Sequence, residues 1–151
     1  MSGYTTYTHH CAFETFRNQG AIGNSGVFVD ADNTADADVV VVFNGEIYNH
    51  RELREELIAK GHTFANNADT EVLVHGYEEY GTELLYRLRG MFAFMIYDMK
   101  KKQFFGARDF FGIKPFYYTQ TEEGNLVFCS EIKGILQFPG IERKVNEEAL
   151  E

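Results

Sequence analysis

The 151-residue sequence has no tryptophan, two prolines and two cysteines, Cys11 and Cys129. Two widely separated cysteines make neither a disulfide framework nor a metal-binding spacing, so no metal and a reduced, cytoplasmic setting are the expectation. Basic residues are scarce. Fourteen Lys and Arg against 23 Asp and Glu leave a net charge of -9, which argues against a nucleic-acid partner. No apolar run approaches the roughly 18 residues of a membrane span, so no membrane partner is expected. The N-terminus lacks the basic-then-apolar order of a signal peptide. Internal repeats, low-complexity tracts and a glycine loop able to cradle phosphate are also missing, and no cofactor is implied.

What is present fits one ordinary globular domain. The chain is 44% hydrophobic and 25% charged, with fourteen Phe and nine Tyr to fill a core. Residues 1–38 form an atypical N-terminal segment without a sustained period of 2 or 3.6. GVFVD is its only plausible strand, and ADNTADAD is a polar, acidic turn or loop. From Val39 the signals sharpen. VVVVF is a buried-strand run. Asn49 stands where a helix cap belongs, with Glu52 three residues on in a capping-box arrangement. Leu53, Leu57 and Ile58 form an apolar stripe that Gly61 ends. A second helix follows Asp69-Thr70, carries Val72, Leu73, His75 and Tyr77, and stops at Gly81; a third runs from Thr82 to Leu88.

The period then changes. MFAFMIYD, QFFGAR, PFYYTQ and LVFCS are strand-length segments separated by MKKK, DFFGIK and TEEGN. MFAFMIYD is apolar at nearly every position, which predicts a sheet covered on both faces rather than one wet on one side. SEIKGILQF predicts a closing helix before Pro139-Gly140. The order is α+β with layered sheets. Arg87, Arg89 and Lys100 to Lys102 read as solvated surface.

The stretch FNGEIYNHRELREEL carries the chemistry. A strand-to-helix corner at Asn-Gly leaves backbone N–H groups unpaired, and a glycine lets a ligand approach them. Asparagine adds a side-chain N–H. Two neutral donors of this kind are what a tetrahedral oxyanion requires.

VVFNGEIYNHRELREEL, NNADTEVLVHGYEEYG, LRGMFAFMIYD, FFGARDFFGIKPFYY and VFCSEIKGIL, in that order, resemble the glutaminase domain of glutamine-hydrolysing asparagine synthetases. That is a class II amidotransferase domain with an N-terminal-nucleophile fold. The resemblance covers residues 39–151 and implies a four-layer αββα sandwich, here lacking its first elements. It assigns the oxyanion hole to the Asn44 side-chain amide and the Gly45 N–H. Glu46 would line the glutamine site, and Asp69 would accept the substrate α-ammonium; from the residues alone Asp69 is a helix cap. The Arg108-Asp109 pair and Gly112-Ile113-Lys114-Pro115 match a segment shaping the core. Ser130-Glu131-Ile132-Lys133 matches a segment near the ammonia exit. Neither is assigned to catalysis. L-glutamine is the implied substrate and a synthetase domain or subunit the implied partner. ATP and Mg would belong to that synthetase domain, expected outside this chain.

The pattern departs from the family at the amino end. Family members open Met-Cys-Gly, and the cysteine is the nucleophile with its own α-amine as base. This chain opens Met1-Ser2-Gly3. Ser2 would offer an alcohol, far less ionised than a thiol. Cys11 is the other candidate, but Ala-Phe-Glu-Thr follows it in place of the family's glycine and apolar strand. The family grips the substrate carboxylate with an arginine in a His-Arg-Arg-Leu-like stretch. Arg17 is the only arginine before Asn44, in a context that does not match. The expected activity is hydrolysis of glutamine to glutamate and ammonia. The alternative is a catalytically silent binding module on the same scaffold, and unpaired strand edges raise a homodimer as a further expectation.

Overall fold

The valines of residues 39–42 extend as β-branched residues prefer to, and an antiparallel sheet is built around them. The structure, a computed structural model, describes residues 5–10, 26–29, 39–122 and 124–145, the first two segments by backbone alone. In chain order the strands are β1 (Thr5–His10), β2 (Gly26–Val29), β3 (Val39–Ile47), β4 (Gly90–Asp98), β5 (Gln103–Arg108), β6 (Tyr117–Gln120) and β7 (Leu126–Cys129). The helices are α1 (His50–Ala59), α2 (Asp69–Tyr80) and α3 (Ile132–Ile135), with a 3-10 turn at Gly81–Tyr86. The chain divides into two compact units, Met1–Pro115 and Phe116–Glu151.

In the first unit five strands pair antiparallel in the order β1-β5-β4-β3-β2. Val41, Ile96 and Phe105 stand in one row across it, and Phe43, Phe94 and Ala107 in the next. That face packs against Leu53 and Leu57 of α1, Val72, Leu73 and Tyr77 of α2, and Leu84 and Leu85 of the 3-10 turn. Each such side chain contributes roughly 1.5–3 kcal/mol by leaving water. Every β4 residue from Phe92 to Asp98 is buried, so this strand is covered on both faces, as the unbroken apolar run predicts. On the second face the Tyr97 and Phe104 rings meet at a tilt, with centroids 4.6 Å apart.

The N-terminal segment gives the sheet a second strand besides the predicted one. Thr5–His10 pairs with β5 through Thr5↔Arg108 to His10↔Gln103. Its partner is about a hundred residues away, so a strand formed on the open edge of β5 leaves no local period to read.

Helix α1 ends as its sequence suggests. Gly61 N–H donates to Ile58 C=O (3.0 Å) and His62 N–H to Leu57 C=O (3.1 Å), the paired bonds of a Schellman motif. Its start differs from expectation. Asn49 occupies the cap position without capping, and no capping box with Glu52 forms. Instead its Nδ2 donates to Arg87 C=O and its Oδ1 accepts from Arg89 N–H, both at 2.9 Å. Ile58 is exposed, leaving Leu53 and Leu57 as the buried stripe.

Arg87, Arg89 and Lys100 to Lys102 are exposed, as expected, and two of them make specific pairs. Arg87 is half-exposed yet pairs with Glu56 (2.9 Å) and lies 4.0 Å above the Tyr80 ring. Lys101 pairs with the buried Asp98 at 2.8 Å. Lys101 and Asp98 are three residues apart, whereas Arg87 and Glu56 are 31 apart, so local pattern gives no sign of the second pair.

The second unit contains the β6–β7 hairpin, paired from Tyr117↔Cys129 to Gln120↔Leu126, and the short α3. The closing helix predicted over SEIKGILQF is only Ile132–Ile135. Gly134 within it is a weak helix former, packed where a side chain would collide with Cys129 Sγ. Ser130 precedes that helix, and Lys133 pairs with Glu131 on the exposed surface.

Candidate functional site

The Asn-Gly pair does not form the strand-to-helix corner. β3 runs through Asn44, Gly45 and Glu46, pairing them with Ala93, Phe92 and Met91, and turns only after Ile47. Two glycines allow the strands to approach so closely there. Gly45 has a φ of +151°, and a Cβ on it would collide with the Met91 carbonyl oxygen and stand 2.7 Å from Phe92 Cα. Gly90, opposite Ile47, has no room for a Cβ against the Glu46 carbonyl oxygen. Gly90 escaped the sequence reading, although a lone glycine opening an apolar strand is a signal of close backbone approach.

Ladder alternation then fixes where the Gly45 N–H faces. In an antiparallel sheet successive residues turn their N–H and C=O to opposite neighbours. Phe92, opposite Gly45, gives its N–H to Asp109 Oδ2 (3.2 Å) and accepts from Asp109 N–H at its carbonyl (2.7 Å). Both of its polar groups therefore point away from β3. On β3 itself Tyr48 N–H reaches Arg89 C=O on the β4 side (2.7 Å), whereas Ile47 N–H turns outward to Asp69 Oδ2 (2.9 Å). Gly45 shares the phase of Ile47. Its N–H lies on the same edge, about 7 Å along the strand. Among the described residues β2 pairs with that edge only as far as Phe43.

Asn44 and Glu46 alternate with Gly45 and project from the sheet face opposite α1 and α2. Beside Asn44 on that face is Ala93, a small neighbour, and beyond it Arg108. Asn44 is half-buried and Glu46 exposed. Among the described residues the Asn44 amide has no hydrogen-bond partner.

Asp69 is the first residue of α2, whose cap position is Ala68, and it makes no helix-capping bond. Its Oδ2 is held by Ile47 N–H, which leaves Oδ1 for a further donor. The sheet edge and the start of α2 are thus tied at one point. Glu71, two residues on, accepts from Ala65 N–H (2.6 Å) and Asn66 N–H (3.0 Å) and fastens the loop leading to Asp69.

The Arg108-Asp109 pair organises the loop after β5. Asp109, 6% exposed, accepts N–H bonds from Phe92, Phe111, Ile113 and Lys114. Burial by itself pushes its carboxyl up, but these four donors outweigh it and hold the group below its ordinary value. The guanidinium of Arg108 binds the carbonyls of Lys114 (2.6 Å) and Gly112. At the Gly112–Ile113 peptide the two neighbouring side chains satisfy opposite ends of one group, Arg108 its carbonyl and Asp109 its N–H. Phe92 is thereby locked behind Gly45.

The chain is similar in sequence and fold to known proteins. Residues 32–151 fit the model of the glutamine amidotransferase domain. The chain belongs to that family. It is 46% identical over 110 residues to asparagine synthetase [glutamine-hydrolyzing] 3 of Bacillus subtilis, covering 73% of this chain and 18% of that protein. It is 47% identical over 100 residues to asparagine synthetase [glutamine-hydrolyzing] 2 of Arabidopsis thaliana, covering 66% and 17%. Among solved structures, the glutamine phosphoribosylpyrophosphate amidotransferase of B. subtilis superposes with a TM-score of 0.55 at 25% identity, over 64% of this chain and 22% of that one. The amidotransferase domain described here thus spans under a fifth of the length of these curated relatives. Its α+β fold is of the N-terminal-nucleophile amidotransferase type. Among the described residues no helix is long and apolar enough to cross a membrane. Ser2, Cys11 and Arg17 lie outside the described residues.

Proposed function

We propose that this domain binds L-glutamine and hydrolyses its side-chain amide, releasing glutamate and passing ammonia to a synthetase domain in an asparagine-forming enzyme. The observation that carries the reading is the outward edge of β3, where ladder phase turns the Gly45 N–H away from β4 and to the side of Asp69, one residue from Asn44. In this reading Asp69 Oδ1 takes the substrate α-ammonium, Glu46 lines the approach, and the reacting carbonyl lies against Gly45 and Asn44. Attack on that carbonyl moves negative charge onto its oxygen. The backbone N–H of Gly45 and the Asn44 side-chain N–H hold that charge without reorganising, because the ladder and the Asp109 lock fix the strand beforehand. Collapse expels ammonia, and a water-borne second attack on the acyl intermediate regenerates the nucleophile. The chemistry needs no cofactor in this domain; ATP and Mg serve the synthetase step. The domain acts in the cytoplasm on this reading.

The test is glutamate release from glutamine by the purified protein, together with mass spectrometry after exposure to an electrophilic glutamine analogue. Expected are turnover or a covalent adduct on residue 2 or Cys11, and a loss of about 10²–10³ in rate for Asn44→Ala. Turnover that Asn44→Ala leaves untouched would remove the oxyanion assignment. Neither turnover nor adduct would favour a binding module.

A further inference from the structure

A second cluster of chemically capable side chains lies on the α1–α2 hairpin. His62 follows the Gly61 turn that ends α1, while His75 and Glu78 occupy one face of α2. Their donor atoms all lie within 4.8 Å of one another. His75 Nδ1 is 3.0 Å and His62 Nδ1 3.7 Å from the same Glu78 Oε2. Tetrahedral zinc with ligands near 2.1 Å sets its donors about 3.4 Å apart, between those two distances.

The surroundings supply the outer layer that such ligands need. A metal-binding imidazole typically presents its other nitrogen to a carboxylate, which fixes the tautomer and raises ligand basicity. His62 Nε2 faces Glu79 Oε2 at 3.3 Å, and His75 Nε2 faces Glu71 Oε1 at 3.9 Å. Both carboxylates are themselves anchored, Glu79 by Lys60 at 2.7 Å and Glu71 by the N–H groups of Ala65 and Asn66. The Phe64 ring packs edge-on against His75, with centroids 4.6 Å apart, and screens the cluster from one side. Three carboxylates against one ammonium leave an excess of negative charge that a dication neutralises.

We propose that His62 Nδ1, His75 Nδ1 and Glu78 Oε2 form a zinc site, with a water in the fourth position, that clamps the end of α1 to α2. Two imidazoles and one carboxylate select a borderline cation such as Zn²⁺ over Mg²⁺ or Ca²⁺, which take oxygen ligands in larger number. The site joins the two helices that cover the sheet, so its first effect is on stability.

The experiment is calorimetric titration of chelator-treated protein with Zn²⁺, alongside thermal unfolding with and without the metal. Expected are one saturable site, a higher Tm with Zn²⁺ and no rise with Mg²⁺. His62→Ala and Glu78→Gln, both at partly exposed positions, should each weaken Zn²⁺ by more than tenfold while keeping the native circular dichroism. Glu79→Gln should weaken it by about tenfold through His62 alone. The absence of saturable binding below about 0.1 mM would overturn the proposal. So would Zn²⁺ affinity unchanged in both His62→Ala and Glu78→Gln, since binding would then reside on other histidines or cysteines of the chain.

Discussion

The Ile47 backbone N–H donates to Asp69 Oδ2 across 2.9 Å, joining residues 22 apart in sequence. That bond fixes the ladder phase at the end of β3 and aims the start of α2 at the same edge. A carboxylate so placed is already oriented before any ligand arrives. Substituting Asp69→Asn keeps an acceptor for Ile47 but removes the charge that an ammonium would meet. Glutamine affinity should fall about 10- to 100-fold, the worth of one charge-assisted hydrogen bond, while the unfolding midpoint barely moves. Equilibrium binding and urea unfolding on the same variant separate the two effects.

Gly45→Ala addresses the backbone rather than the site. The added methyl meets the Met91 carbonyl at a φ that alanine rarely adopts. A loss of roughly 2–4 kcal/mol is expected, with Gly90→Ala similar because its methyl meets the Glu46 carbonyl. Urea unfolding gives the number. A loss below about 0.5 kcal/mol for both would mean the strands are not packed this closely.

The Asn49 side chain joins the start of α1 to the chain before β4 through two hydrogen bonds. Asn49→Ala should cost about 1–2 kcal/mol, and Asn49→Ser no less, because serine caps helices well but cannot reach both partners. If serine restored full stability, Asn49 would be acting as a helix cap after all.

Acid stability follows from Asp109 and Asp98. Burial raises both carboxyls, but backbone N–H donors at Asp109 and the Lys101 hydrogen bonds at Asp98 bring each below its ordinary value. A carboxyl depressed in the folded state contributes stability above its unfolded pKa, near 3.9, and loses it as pH falls through the folded one. The urea midpoint should therefore hold steady above about pH 5 and fall below about pH 4. Asp109→Asn should be less stable at neutral pH and show a shallower acid limb.

Much of this was legible from local pattern. Leu53 and Leu57 with Gly61 give α1 and its stop, and the unbroken apolar run at Phe92–Ile96 gives a doubly covered strand. The misreadings share one physical origin. Asn49 bonds Arg87 and Arg89, nearly forty residues on, and β1 forms only because β5 offers an edge. The Asn44-Gly45 pair looks like a turn until Met91 and Phe92 are known to lie opposite. His62 and His75 come together only through the α1–α2 packing. Sequence carries periodicity and capping within a few residues; tertiary partners overrule both.

The outward Gly45 N–H is tested most directly by following its amide resonance during titration with L-glutamine, with the Asn44 side-chain NH₂ as companion. Expected are rapid hydrogen exchange at Gly45 in the free protein and saturable shifts of both signals, weakened in Asp69→Asn. An amide at Gly45 protected like the neighbouring ladder positions and indifferent to glutamine would contradict the account.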